Sequence, residues 1–555
     1  MASLGPAQAV PSGPDRVEQV YASSSPVPGV ISSVVRLRSP LPASVGPHPA
    51  ACDWLSYLRF RSAGGPTESV DADRILVAQP GIFEGAGAFE SVARNTVAKA
   101  AAAGRSIELW ALDRRSNCAE DHTGLQAALR TGDFATAADY YAGKSTIDGH
   151  RFAGFPSLTE ISGTLGWAKG LGLAQTLRDE YDVLRHEVPD QKVRKRKVLC
   201  GGHSMGGFVT AYFAEWDFDG NPRTLDDAGY NQCGGYFALD TAISTNLAGI
   251  ALDPLGVPGL PRGIGSLLGV MSQPVEQMLP VLALPAVINP ETMNLLALAG
   301  LATRLHPNRV DEIVGHLPDN LNVELTLRTL LAKDHLQFAT GRPDVKKLHA
   351  TNAAILGAIL DDNSQPFGFL QASLGSITGG PVAPKVFPLP YEARNVFPMA
   401  QTAFGDGKKF AATGFGPHDV YRWVDYDRTS PSLRRYSSPA SEVTSIHELA
   451  RNLSEPPLDF TEWYFPTRLP ADMMAGEGAD FTRCRLHPGA WKGKATITFT
   501  ASGGIGATGT GEGEQVYLPG YNHIDVLTAA ARQNNGKPEQ VSTRLADFAE
   551  TSTRG

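Results

Sequence analysis

The stretch Lys197-Val-Leu-Cys-Gly-Gly-His-Ser-Met-Gly-Gly-Phe208 decides how the rest of the chain is read. Val198-Leu199-Cys200 is a short apolar run of the kind a buried strand shows. Apolar residues at Phe208-Val209, Ala211-Tyr212-Phe213 and Trp216 predict a helix directly after it. Between them, Gly202-His203-Ser204-Met205-Gly206 fits G-x-S-x-G, the pattern of a serine on a sharp strand-to-helix turn. The spacing has a physical cause. Backbone turned so tightly requires small residues two positions before and two after the serine, and Gly202 and Gly206 meet that need. The turn also aims the backbone N–H of Met205, with the positive end of the new helix, at any oxyanion forming beside Ser204.

Upstream, Ile31–Leu37, Trp54–Phe60, Arg74–Ala78 and Ile107–Leu112 read as strands, with helices predicted over 86–103 and 166–186. Downstream, Gly235–Leu239 is a strand ending at Asp240. Strands and helices in alternation predict an α/β fold with a parallel sheet flanked by helices. The rhythm then stops. From 242 to 456 the patterns are mainly helical, at Val275–Ile288, Glu291–Leu305, Val323–Leu331 and Thr351–Leu360, with Pro and Gly between them. An insertion of this length is no loop, and it reads as a cap over the sheet. Strands resume at Lys494–Thr500 and Gln515–Leu518, and helices over Val526–Arg532 and Ser542–Glu550 close the chain. The expected organisation is a flexible lead-in over 1–30, a core in two parts over 31–241 and 457–555, and a helical cap over 242–456.

Composition excludes several classes. The chain has 555 residues, 42% hydrophobic and 19% charged, which is ordinary for a globular protein. A net charge of −8 and a pI near 5.9 leave no nucleic-acid footprint. The five cysteines (52, 118, 200, 233, 484) are scattered and odd in number, which argues against a disulfide framework, and none has zinc-ligand spacing. The first residues lack a basic segment followed by an apolar one, and no apolar run is long enough to span a membrane. A cytoplasmic, soluble protein is expected, with no metal or organic cofactor required.

With Gly202-His-Ser-Met-Gly206, Asp113 and Arg114 after a strand, and Pro519-Gly-Tyr-Asn-His523 near the end, the chain resembles the α/β-hydrolase superfamily. The resemblance covers most of the chain outside the lead-in and the insertion. It implies a mostly parallel eight-stranded sheet, a cap inserted after the sixth strand, and the order nucleophile, acid, histidine. Ser204 and His523 match the outer positions. Serine is a poor nucleophile until an imidazole takes its proton, and that imidazole needs a carboxylate to hold it. His203, inside the turn, reads as a packing or pocket-floor residue.

The acid departs from the commonest pattern. No Asp or Glu follows the seventh strand, in Thr500-Ala-Ser-Gly-Gly-Ile-Gly506. The placement after the sixth strand gives Asp240, with Glu512, Glu514 and Glu120 (beside Asp121) as the alternatives. The oxyanion loop departs too, reading Gln79-Pro80-Gly81-Ile82-Phe83, so the N–H of Ile82 is the expected partner of Met205, and Gln79 offers an extra donor. Gly504-Ile-Gly506-Ala-Thr-Gly509 fits a dinucleotide fingerprint, but Thr510-Gly-Glu-Gly-Glu514 cannot open the apolar helix such a site needs, so it reads as a glycine-rich loop.

The leading expectation is a serine hydrolase cleaving a carboxylic ester, lactone or related acyl bond of a fairly apolar small molecule. The Leu267, Leu268, Met271, Met278, Leu279 and Leu282 side chains suggest an apolar cavity or the cap's own core. An acyltransferase or thioesterase would use the same residues, a peptidase lacks a charged-pocket signal, and a hydrolase-like binding protein is the reading from another class. Neither the substrate nor the oligomeric state is written in the sequence.

Overall fold

A computed structural model describes residues 15–247, 279–394 apart from 285 and 287, 404–429 apart from 406, 442–505, 512–533 and 538–552. Nine strands form one sheet: β1 (Arg16–Tyr21), β2 (Val30–Arg38), β3 (Trp54–Ser62), β4 (Arg74–Gln79), β5 (Ile107–Leu112), β6 (Val198–His203), β7 (Gly235–Leu239), β8 (Ala495–Gly503) and β9 (Glu514–Asn522). Their spatial order is β1-β2-β3-β5-β4-β6-β7-β8-β9. The pairs β1–β2, β2–β3 and β3–β5 are antiparallel, and every later pair is parallel.

Burial explains the sequence pattern. Every residue of β5, β6 and β7 is buried, as central parallel strands covered on both faces require. Helix α1 (Glu90–Ala102) carries β4 to β5 in one direction along the sheet, whereas α2 (Leu173–Glu187) and α3 (Met205–Glu215) carry the chain the other way. Right-handed crossovers therefore put α1 on one face and α2 and α3 on the other. All eleven residues of α3 are buried, which is why its sequence is apolar on every side.

Eight strands were expected, and the ninth is β1, inside the stretch expected to be a flexible lead-in. Hydrophobic patterning misses it because Arg16-Val-Glu-Gln-Val-Tyr21 docks through polar contacts. Arg16 pairs with Glu187, and Glu18 with Arg59 and Ser33. Such charges suit an edge strand, whose outer side stays unpaired.

Between β7 and β8 the chain leaves the sheet. The described part of this insertion is mainly helical, including α4 (Pro290–Leu305), α5 (Leu321–Leu331) and α6 (Asn352–Leu360), with two small two-stranded sheets. Side chains of Asn289, Asn320 and Thr351 cap these helices. The helix expected over Val275–Ile288 lies partly outside the described residues. Its described portion makes isolated bridges instead, Val281 with Pro466 and Leu284 with Ile288. The helix expected over Val526–Arg532 is one turn, Asp525–Thr528, because Ala530 N–H turns away to the Val443 carbonyl.

Four cysteines form two disulfides, Cys52–Cys118 and Cys200–Cys233, and Cys484 is free and buried. This corrects the expectation that the scattered cysteines form no disulfide framework. Each bridge joins segments beside neighbouring strands, β3 with β5 and β6 with β7, an adjacency that linear spacing hides. Among the described residues no helix is long and apolar enough to cross a membrane.

Candidate active site

Ser204 stands between the end of β6 and the start of α3 at φ 54° and ψ −124°, far from relaxed L-residue backbone. Its N–H is bonded to the Leu239 carbonyl on β7 (3.2 Å), and Thr241 donates to its own carbonyl. A Cβ on Gly206 would lie 2.1 Å from the Gln79 carbonyl and one on Gly202 2.6 Å from the same atom, so the turn sits directly on the end of β4. Ser204, Asp240 and Phe83 are three of the six non-glycine residues with positive φ among the described residues. Backbone strain of this kind collects at functional sites.

His523 and Asp240 are brought together from 283 residues apart, Nδ1 to Oδ2 at 2.5 Å. Asp240 is fully buried at the end of β7, and its carboxylate also accepts from Ala501 N–H (2.9 Å) and Ile505 N–H (3.2 Å) at the end of β8. With Nδ1–H given to Asp240, the unprotonated nitrogen of a neutral His523 ring is Nε2. Burial lowers the His523 pKa below the ordinary histidine value, and the positive charge of His203 lowers it further, against the opposing pull of Asp240.

The alternative acids lie elsewhere. Glu512 is exposed, and Glu514 pairs with Arg544 at the surface. Glu120 is buried against His122 (2.9 Å) and the Trp463 N–H (2.7 Å), and Asp121 accepts from Tyr140.

Met205 is the first residue of α3, so its N–H has no carbonyl to meet within the helix. The loop 80–84 is held by Arg114, whose guanidinium donates to the carbonyls of Pro80, Gly81 and Glu84 and pairs with buried Glu462. In a trans peptide the C=O and the following N–H point in opposite directions. Anchoring the Gly81 carbonyl on Arg114 therefore turns the Ile82 N–H the other way. Gln79 supplies no donor here, because its amide goes to Glu180 on α2 (2.8 Å). In the sequence Arg114 stands out only as part of a resemblance. Its work on three carbonyls is legible only in the fold.

Glu84 was missed altogether. Its Oε2 accepts the Gly81 N–H (2.6 Å) and its Oε1 meets His203 Nδ1 (2.7 Å). Burial would raise the Glu84 pKa, but His203 and the hydrogen bonds outweigh it and leave the carboxyl below its ordinary value. The sequence signal, a glutamate three residues after a glycine loop, is too common to single out.

Ser204 and His523 open into one cavity. Its floor is Ile82, Ser204 and His523, and its walls include Met293, Leu296 and Ala299 of α4, Leu330 of α5, and Ile355 and Ile359 of α6. Among the described residues Glu84 is the only carboxylate on a wall that is otherwise almost wholly apolar. Of the insertion residues singled out in the sequence, Leu267, Leu268, Met271 and Met278 lie outside the described residues, and Leu279 and Leu282 pack into the core without lining the cavity.

Among the described residues three groups of His, Asp and Glu come close enough to share an ion: Glu84, His203 and His523; Glu120, His122 and Asp459; and Asp217, Asp219 and Asp227. In the first two, imidazole–carboxylate pairs already join the members (Glu84 with His203, His122 with Glu120 and Asp459), and the third is partly exposed. We assign no metal to them.

The strand order, with its early antiparallel strands, a strained serine after β6, an acid after β7 and a histidine after the last strand, decides the architecture. The fold is that of an α/β-hydrolase. No protein-family model matches the chain, and no curated protein matches it significantly. Among solved structures the chain is similar to the peroxisomal alpha-beta-hydrolase Lpx1 from Saccharomyces cerevisiae, at 11% identity over 96% of this chain and 95% of that one (TM-score 0.28). A laboratory evolved variant of potato epoxide hydrolase StEH1 aligns at 11% identity over 96% and 99% of the two chains (TM-score 0.26). A glucuronoyl esterase from Solibacter usitatus aligns at 11% identity over 42% of this chain and 54% of its own (TM-score 0.19). Within the α/β-hydrolase fold of this chain, the serine, histidine and carboxylate come from the ends of β6, β9 and β7, where the parallel strands end at one edge of the sheet.

Proposed function

We propose that this protein is a serine hydrolase that cleaves a carboxylic ester, lactone or related acyl bond of an apolar substrate. The observation that carries the reading is the hydrogen-bonded pair Asp240–His523 beside Ser204 at the floor of one apolar cavity. Ser204 Oγ attacks the carbonyl carbon while His523 Nε2 takes its proton. Asp240 fixes the ring's tautomer and stabilises the imidazolium. The N–H groups of Met205 and Ile82 receive the oxyanion, a contribution typically worth about 3–4 kcal/mol per donor. His523 then returns the proton to the leaving alcohol, and water activated at the same nitrogen releases the acyl group.

The cavity supports a substrate with a long or bulky apolar part, since its walls offer few groups to pair a polar one. In this reading residues 242–456 act as a cap whose helices α4, α5 and α6 roof the floor. Two disulfides support an oxidising compartment rather than the cytoplasm expected from the sequence.

Labelling with a fluorophosphonate probe, together with hydrolysis of medium-chain nitrophenyl esters, tests the reading. Wild type is expected to label and turn over, and Ser204→Ala to do neither while staying folded. Labelling or turnover that survives in Ser204→Ala, or absence of both in folded wild type, overturns it.

A further inference from the structure

We propose that His203 and Glu84 form a positioning pair for His523, holding it by its backbone carbonyl and presenting a protonated ring to it, so that the base stays neutral and its imidazolium stays short-lived. The inference rests on the reading of Ser204 and His523 given above.

Both ring nitrogens of His203 are committed, and the side chain is wholly buried. Nε2 lies 3.0 Å from the His523 carbonyl, an atom that only accepts, so Nε2 carries a proton. Nδ1 lies 2.7 Å from Glu84 Oε1. The pair is therefore either imidazolium with carboxylate or imidazole with carboxylic acid, and in both a proton lies between Nδ1 and Oε1. The charged form is favoured. Burial would lower the His203 pKa, but the charge and hydrogen bond of Glu84 raise it overall. Glu84 is itself held ionised by His203 and by the Gly81 N–H.

Geometry ties the pair to the nucleophile as well. The point where a Gly81 Cβ would sit is 2.6 Å from Glu84 Oε2 and 2.8 Å from Ser204 Cβ, so carboxylate and serine face each other across a bare glycine. The rings of His203 and His523 lie 4.3 Å apart, tilted by 33°. The charged or titratable groups facing His523 are Asp240 from the end of β7, His203 from β6 and Glu84 from the loop after β4. On its own turn Asp525 accepts from the Asn522 N–H. His203 is the only cation among them. It opposes protonation of His523 in the resting state and favours prompt return of the proton to the leaving group once that proton has been taken. A purely structural pair would stitch three loops together without affecting when His523 titrates.

The test is the pH dependence of kcat/KM for a nitrophenyl ester in wild type and in the His203→Gln/Glu84→Gln double variant. Glutamine can still donate to the His523 carbonyl and pair with its neighbour, but carries no charge. The acid limb is expected to move upward, by less than the roughly 1 pH unit that loss of a lone cation about 4–6 Å away produces, because the Glu84 charge removed with it acts on His523 in the opposite but weaker sense. An acid limb that stays in place in a folded, active double variant overturns the proposal. A second arm needs neither turnover nor the variant: nitrogen-15 NMR of histidine-labelled wild type at pH 7 is expected to show His203 doubly protonated beside a singly protonated His523. A neutral His203 there overturns the proposal even if the ester reading itself has failed.

Discussion

Gly504 lies against the Asp240 carboxylate: a Cβ at position 504 would sit 2.2 Å from Oδ2 and 2.4 Å from Oδ1. Only bare backbone lets the end of β8 close over the acid and direct the Ala501 and Ile505 N–H groups onto it. The glycines that imitate a dinucleotide fingerprint thus include one that seats a carboxylate. Gly504→Ala is expected to push Asp240 off His523 and lower kcat by about tenfold to 100-fold, with KM little changed and the circular dichroism spectrum intact. An unchanged kcat would mean the seat tolerates a methyl group.

Asp240→Asn is expected to lower kcat about 10,000-fold, because an asparagine donating to His523 selects the wrong tautomer. Glu514→Gln is expected to leave kcat within about twofold, since Glu514 pairs with Arg544 at the surface. Equal losses in the two variants would return the identity of the acid to an open question.

Arg114 holds the loop 80–84, the proposed oxyanion loop, through three carbonyls at once, a geometry its planar fork suits better than a lysine ammonium. Arg114→Lys is expected to lower kcat by about 100-fold, comparable to removing one oxyanion donor. Steady-state kinetics on the same ester decides it, and a change confined to KM counts against this role.

In the proposed reaction the cavity wall would set the chain length of the acyl group. Ala299 of α4 lines it and is 2% exposed, so Ala299→Phe fills space that a long acyl chain would take. The expected outcome is a drop of about tenfold or more in kcat/KM for a dodecanoyl ester, with little change for an acetyl ester. A uniform loss across chain lengths would point to misfolding or to another binding route.

Glu180 ties the sheet to α2 through Gln79 and has a second oxygen with no partner. Burial raises its pKa from 4.5 to about 8. The folded protein keeps a proton that the unfolded chain releases, so the contribution to stability is complete below pH 4.5 and is lost as pH rises through about 8. Glu180→Gln removes that dependence and is expected to raise Tm relative to wild type more at pH 9 than at pH 5, by an amount on the order of a few kcal/mol in stability. Parallel Tm curves for the two proteins across this range would contradict it.

The apolar run Val198–Cys200, the glycine pair around Ser204 and the apolar helix beyond it were sufficient to place the turn, since each is a local demand of backbone geometry and burial. The strands β2 to β9 were legible for the same reason. β1 was not, because charged side chains dock it. Ser204 and His523 stood out through their local settings, and Asp240 through a strand end. What Glu84, His203 and Arg114 do had no local signal: the pairs Glu84–His203, His203–His523 and Arg114–Glu462 span 119, 320 and 348 residues.

The order of strands and helices, the strained serine and the long helical insertion are therefore properties of the sequence by itself, set by short-range patterns of burial, glycine and turn chemistry. Three features were decided only by the tertiary structure: which carboxylate meets His523, which cysteines pair, and what holds the loop 80–84. Each depends on two segments that become neighbours because their strands are adjacent in the sheet, and adjacency in a sheet leaves no periodicity in the chain.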